Sequence, residues 1–120
     1  MPFTLKRHFQ IEAAHQLTLL PDGHKCRRLH GHSFHIDIHV TGEADPTLGW
    51  VMDYDQIDEA WEPLFKTLDH HFLNEIPGLE NPTSETLALW IFDRLKDSLP
   101  GLSGIAISET CQESCLYTPK

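Results

Sequence analysis

Cations are scarce in this chain, and their scarcity removes whole classes of partner. Nine Lys and Arg stand against 18 Asp and Glu in 120 residues, for a formal charge of −9. A surface of that sign repels phosphate backbones and anionic headgroups, so neither nucleic acid nor a membrane is expected as a partner. No apolar run approaches the roughly 20 residues that a membrane-spanning helix needs. Met1-Pro2-Phe3-Thr4-Leu5-Lys6 lacks the basic and apolar regions of a signal peptide, which makes a cytoplasmic protein the expectation. Cysteine is sparse too. Cys26, Cys111 and Cys115 are few and odd in number, so they read as free thiols rather than a disulfide framework. Repeats, low-complexity tracts and long linkers are missing. One domain over residues 1–120 is expected, its 40% hydrophobic content sufficing for a small core that oligomerisation would help.

What the chain does hold is histidine in a telling phase. Residues 3–15 read as a first strand whose odd positions are Phe3, Leu5, Arg7, Phe9, Ile11, Ala13 and His15. A second strand from His30 to about Gly42 has His30, His32, Phe34, Ile36, Ile38 and Val40 at its even positions. Side chains alternate along a strand, so each set shares one face, and His15, His30 and His32 fall in phase with the apolar one. The opposite face carries Lys6, His8, Gln10, Glu12, His35, Asp37 and His39; it is expected to be wet, lining a water-filled space in an oligomer.

The rest of the pattern is helical, then extended again. Asp53 with Gln56 resembles a capping box, and Ile57, Ala60, Trp61, Leu64, Phe65 and Leu68 form one apolar stripe. Pro63 lies inside it and is expected to kink or shorten that helix. A polar loop is expected from Asp69 to Pro82. A second helix starts at Thr83 or Ser84, with Leu87, Trp90, Ile91, Leu95 and Leu99 as its stripe, and stops at Pro100-Gly101. Residues 105–109 and 116–118 read as short strands. The order β-β-α-α-β-β predicts an α+β fold, a four-stranded antiparallel sheet with two helices on one face.

Imidazole in an apolar environment needs a use for its lone pair, and a metal is the obvious one. His30 and His32 are two apart on one strand, their Cα atoms roughly 6.5 Å apart, so both reach one ion, and His15 on the partner strand supplies a third nitrogen. Three neutral imidazoles suit Zn²⁺ and leave a fourth position open for water or substrate, which implies catalysis. The competing reading is three hydrogen-bonded core histidines. Cys26, four residues before His30 and flanked by Lys25, Arg27 and Arg28, is a candidate base or nucleophile; a small buried hydrophobe or a fourth ligand are its alternatives. Asp69-His70 after the first helix could orient and charge an imidazole. Glu109 follows Ile105 and Ile107 in period two, so a carboxylate lies on the apolar face. A ligand edge with two parallel N–H groups, such as a pterin or guanine, would satisfy it; an internal salt bridge would also.

These residues together resemble the 6-pyruvoyl-tetrahydropterin synthase family, in particular its bacterial branch that makes 6-carboxytetrahydropterin for queuosine biosynthesis. The marks are Phe9-x-x-Glu12-Ala13-Ala14-His15, Gly23-His24-Lys25-Cys26-x3-His30-Gly31-His32, Leu68-Asp69-His70, Leu73-Asn74, Asn81-Pro82-Thr83-Ser84-Glu85 and Glu109-Thr110-Cys111-x3-Cys115-x-Tyr117. The resemblance implies a tunnelling fold, with subunits pooling their sheets into a trimeric barrel and two trimers stacking. It implies zinc on His15, His30 and His32, and Cys26 as proton carrier with Asp69 and His70 as its relay. It implies Glu109 as the anchor of the pterin ring and also a member of the relay, Thr83 and Ser84 near that ring, and a site built between subunits. The implied substrate is 7,8-dihydroneopterin triphosphate.

Overall fold

The computed structural model describes residues 2–119. Its elements are β1 (Pro2–His15), β2 (His30–Glu43), α1 (Tyr54–Leu68), α2 (Ser84–Leu95), β3 (Leu102–Thr110) and β4 (Glu113–Tyr117), with 3-10 turns at Lys25–Arg27 and Leu73–Glu75. The strands make one antiparallel sheet in the order β1-β2-β3-β4, and α1 and α2 cover one face of it. The α+β arrangement expected from the sequence is the one observed.

The period-two pattern becomes the core. Ile11 and Ala13 of β1, Phe34, Ile36, Ile38 and Val40 of β2, and Ile105 and Ile107 of β3 are all buried. They meet Ile57, Trp61, Leu64 and Leu68 of α1 and Leu87, Ile91 and Leu95 of α2 in one cluster. Each fully buried Val, Leu, Ile or Phe among them contributes ~1.5–3 kcal/mol. The β1–β2 ribbon outruns the helices, and the molecule measures 57 × 25 × 24 Å. Phe3, at the far end of the apolar phase, is therefore 56% exposed. Arg7, in the same phase, donates from Nε to Asp58 at 2.8 Å and lays its guanidinium over Phe9.

Two expectations need correcting. Pro63 does not shorten α1, which runs unbroken from Tyr54 to Leu68. The ring points to solvent, so the carbonyl it leaves unbonded, that of Glu59, lies on the wet side. Buried Trp61 and Leu64 on either side hold the helix down, Trp61 by stacking on Phe9 with centroids 5.1 Å apart. Residues 69–82 are also not a polar loop. Leu73, Ile76 and Leu79 are buried, and the segment is sewn to the edge of β1. His70 N–H donates to the Glu12 carbonyl (2.6 Å) and Ala14 N–H to that of His71 (3.1 Å). Asn74 binds the backbone of Gln16 through both of its amide atoms.

Candidate active site

The register of β1 against β2 builds the histidine cluster. His15 lies directly opposite His30, and Ala13 opposite His32. Ala13 is small, which leaves the His32 ring room to swing toward the other two. The three ring centroids are 4.5, 5.1 and 4.8 Å apart, with every pair edge-on. One nitrogen from each ring lies within 4.8 Å of the others.

Two backbone carbonyls decide which nitrogens are free. His15 Nδ1 is 2.8 Å from the Pro82 carbonyl, and His30 Nδ1 is 2.6 Å from that of Arg28. A carbonyl only accepts, so each Nδ1 carries the proton and each Nε2 keeps its lone pair. His15 is fully buried, and its Nε2 has no hydrogen-bond partner. Burial holds the His15 pKa below the ordinary imidazole value, against the opposing pull of Pro82 and Glu109, so the ring stays neutral. An unpaired acceptor in a dry site costs about 1–3 kcal/mol. A divalent ion would use that lone pair, and three neutral imidazoles are the donor set that suits Zn²⁺. The residues present fit the group.

Glu109, at the end of β3, faces the cluster. Its Oε1 is 3.2 Å from His32 Nε2 and 3.6 Å from His15 Nε2. Its Oε2 accepts a hydrogen bond from Ser84 Oγ at 2.5 Å. Thr83 is the N-cap of α2: its hydroxyl accepts from the Thr86 N–H and donates to the Thr86 hydroxyl. One short turn thus holds a ring through Pro82 and a carboxylate through Ser84.

Cys26 sits in the 3-10 turn before β2, half-buried, and lines a hollow of about 380 Å³ with Lys25, His30, His32, Glu109, Thr110 and Glu113. Its backbone is fixed on both sides. The Cys26 N–H donates to His24 Nδ1 (3.1 Å), and its carbonyl accepts from Leu17 N–H (3.0 Å). His24 is the cap of this turn.

Asp69 and His70 form a dyad elsewhere. Asp69 Oδ2 lies 2.7 Å from His70 Nδ1, and Asp69 Oδ1 accepts from the Glu12 N–H at 2.9 Å. The bond to Asp69 pushes the His70 pKa up. Partial desolvation pushes the Asp69 carboxyl up, but the Glu12 amide and the His70 ring together outweigh it and hold it below its usual range. Among the described residues His70 is the one non-glycine with positive φ, at 57°, a conformation retained only where surroundings enforce it. Here the enforcing contact is its N–H to Glu12. Neither Asp69 nor His70 lines the hollow that holds Cys26. A single chain brings together the three histidines, Cys26, Glu109 and Ser84, and leaves the dyad apart. Sequence reasoning missed Thr110 and Glu113 as lining residues. It also missed the carbonyls of Pro82 and Arg28, which any residue could have supplied.

Residues 4–120 match the family model described as 6-pyruvoyl tetrahydropterin synthase. A 6-carboxy-5,6,7,8-tetrahydropterin synthase of Synechocystis sp. is 44% identical over 117 residues, spanning 92% of this chain and 89% of the relative. A dihydroneopterin monophosphate aldolase of Pyrococcus furiosus is 38% identical over 91 residues, spanning 76% and 73%. The solved 6-pyruvoyl tetrahydropterin synthase of Caenorhabditis elegans superposes with a TM-score of 0.90 at 27% identity, covering 100% of this chain and 97% of that one. The tunnelling fold expected from the sequence is therefore the fold adopted, and in sequence as in architecture this chain belongs to the 6-pyruvoyl tetrahydropterin synthase family.

Proposed function

We propose that residues 1–120 act as one catalytic domain, a zinc-dependent lyase of the cytoplasm. It converts 7,8-dihydroneopterin triphosphate and one water to 6-carboxytetrahydropterin, acetaldehyde and triphosphate, in queuosine biosynthesis. The observation that carries this reading is the buried, unpaired Nε2 of His15, clustered with His30 and His32, which line a hollow together with a cysteine and a carboxylate. The 44% identity to the Synechocystis synthase supports the choice of product.

His15, His30 and His32 would hold the ion, which when bound supplies a Lewis acid for the hydroxyls of the substrate side chain. Every other task belongs to the chain. Cys26, on its pinned turn, takes a proton from side-chain carbon and returns it. Glu109 accepts the two parallel N–H groups of the 2-amino-4-oxo ring edge, and Ser84 beside it completes the ring subsite; Thr83 shapes that subsite by capping α2. Glu109 also exchanges protons with Cys26. Asp69 favours the charged form of His70, and the dyad relays protons to the Cys26 of a neighbouring copy. A homo-oligomer, a trimer or a pair of stacked trimers, is then the unit that turns over.

The test is incubation of the metal-loaded protein with dihydroneopterin triphosphate. Acetaldehyde and 6-carboxytetrahydropterin support the reading. Accumulation of 6-pyruvoyl-tetrahydropterin without acetaldehyde replaces it with the synthase that keeps the side chain. The aldolase named for the Pyrococcus relative is a second reading, supported by side-chain cleavage of dihydroneopterin monophosphate with no action on the triphosphate. Binding without turnover, equal in wild type and Cys26→Ala, would mark a pterin- or zinc-binding module instead.

A further inference from the structure

The chain's charge poses a problem for an anionic substrate: how does a protein of formal charge −9 receive it? Charge is inverted locally. Lys25, Arg27 and Arg28 are three of the chain's nine cations, gathered within four positions. They are not equivalent. Arg27 is consumed by its own loop: its Nη1 donates to the carbonyls of Thr18 and Leu20, and its Nε pairs with Asp22 at 3.1 Å. The Lys25 side chain has no hydrogen bond or ion pair among the described residues, and it is the one cation among those that line the hollow of Cys26, His30 and His32.

The hollow is lined by charges of both signs. Glu109 and Glu113 form one wall, which it shares with an adjoining hollow of about 270 Å³ containing Ser84 and Glu85. Lys25, Cys26, His30, His32 and Thr110 complete its lining. A ligand bearing N–H groups at one end and negative charge at the other can give its N–H groups to the carboxylates and its charge to Lys25.

We infer that Lys25 is the subsite for a phosphate chain, while Arg27 is a loop brace; this rests on the pterin triphosphate reading above. Lys25 acts as a point charge on a flexible stem, which suits a chain of phosphates that moves as the reaction proceeds. Binding is measured by calorimetry with two probes, inorganic triphosphate and phosphate-free dihydroneopterin, on wild type, Lys25→Ala and Lys25→Arg. Lys25→Ala weakens triphosphate about tenfold, the loss of one charge-assisted contact, and leaves dihydroneopterin within about twofold. Lys25→Arg restores most of the triphosphate affinity. Added salt weakens triphosphate binding to wild type more steeply than to Lys25→Ala. Equal triphosphate affinity in wild type and Lys25→Ala overturns the inference. So does loss of both probes together, which would make Lys25 structural. A wild type that binds triphosphate but not dihydroneopterin sinks the pterin reading alone and leaves Lys25 decided by the first probe.

Discussion

Each face of the sheet carries three histidines, and only one face is built to hold an ion. On the covered face, the Nδ1 atoms of His15 and His30 are tied to backbone carbonyls and their Nε2 atoms are left to converge. On the open face, His8 places Nδ1 2.7 Å from Asp37 and Nε2 3.2 Å from His35 Nδ1, with the two rings stacked. Those nitrogens satisfy one another, and water is at hand for the rest. His39 on that face is shifted toward its neutral form by burial, with Lys6 adding to the effect. The difference teaches that histidine count does not make a metal site. What matters is which nitrogen the backbone has already protonated, and whether the other is dry.

Substitutions on the two faces sharpen this contrast. The largest effect belongs to His15→Ala, which removes the buried lone pair: metal content by atomic absorption and turnover both vanish, while circular dichroism keeps the α+β signature. Next is Cys26→Ala, which lowers kcat by about 10²–10⁴, the range of a lost general acid or base, with the metal content unchanged. Loss of metal in that variant would mean that the thiolate is a ligand.

Asp69→Asn has a smaller effect, read on the pH axis. Asp69 raises the His70 pKa, so in wild type the ring stays charged to higher pH. Removing the carboxylate moves the limb of the kcat/KM profile that reports His70 toward lower pH. The stability this pair contributes follows the same sign: present in full below the unfolded imidazole pKa, lost as pH rises through the raised folded value. A limb that stays in place would uncouple the dyad from the reaction. The smallest effect is that of His35→Ala, which leaves metal content unchanged and turnover within about twofold. A lost equivalent of metal there would break the comparison between faces.

Much of the covered face was legible because strand periodicity is rigid. Once residues 3–15 and 30–42 are strands, the phase of His15, His30 and His32 follows, and so does that of Glu109. Register needed the fold: nothing local says that His15 meets His30 rather than His32. The carbonyls of Pro82 and Arg28 left no trace in the sequence, because every residue has one. The edge contacts of Asp69 and Asn74 with β1 join residues 57 and 58 positions apart, beyond the reach of any local pattern. Leu73, Ile76 and Leu79 were passed over because their spacing serves a turn rather than a continuing helix. The separation of Asp69–His70 from Cys26 within one chain was not legible, because no local pattern relates a dyad that follows α1 to a turn that precedes β2.

The central claim is that three ring nitrogens, and no sulfur, hold one divalent ion with a position left open. Titrating metal-free protein with Co²⁺ while recording the electronic spectrum tests it directly. The account predicts one ion per chain, with the visible bands of a four-coordinate nitrogen-rich site and no thiolate-to-metal charge-transfer band. A spectrum with that charge-transfer band, or a titration with no saturable binding, would contradict it.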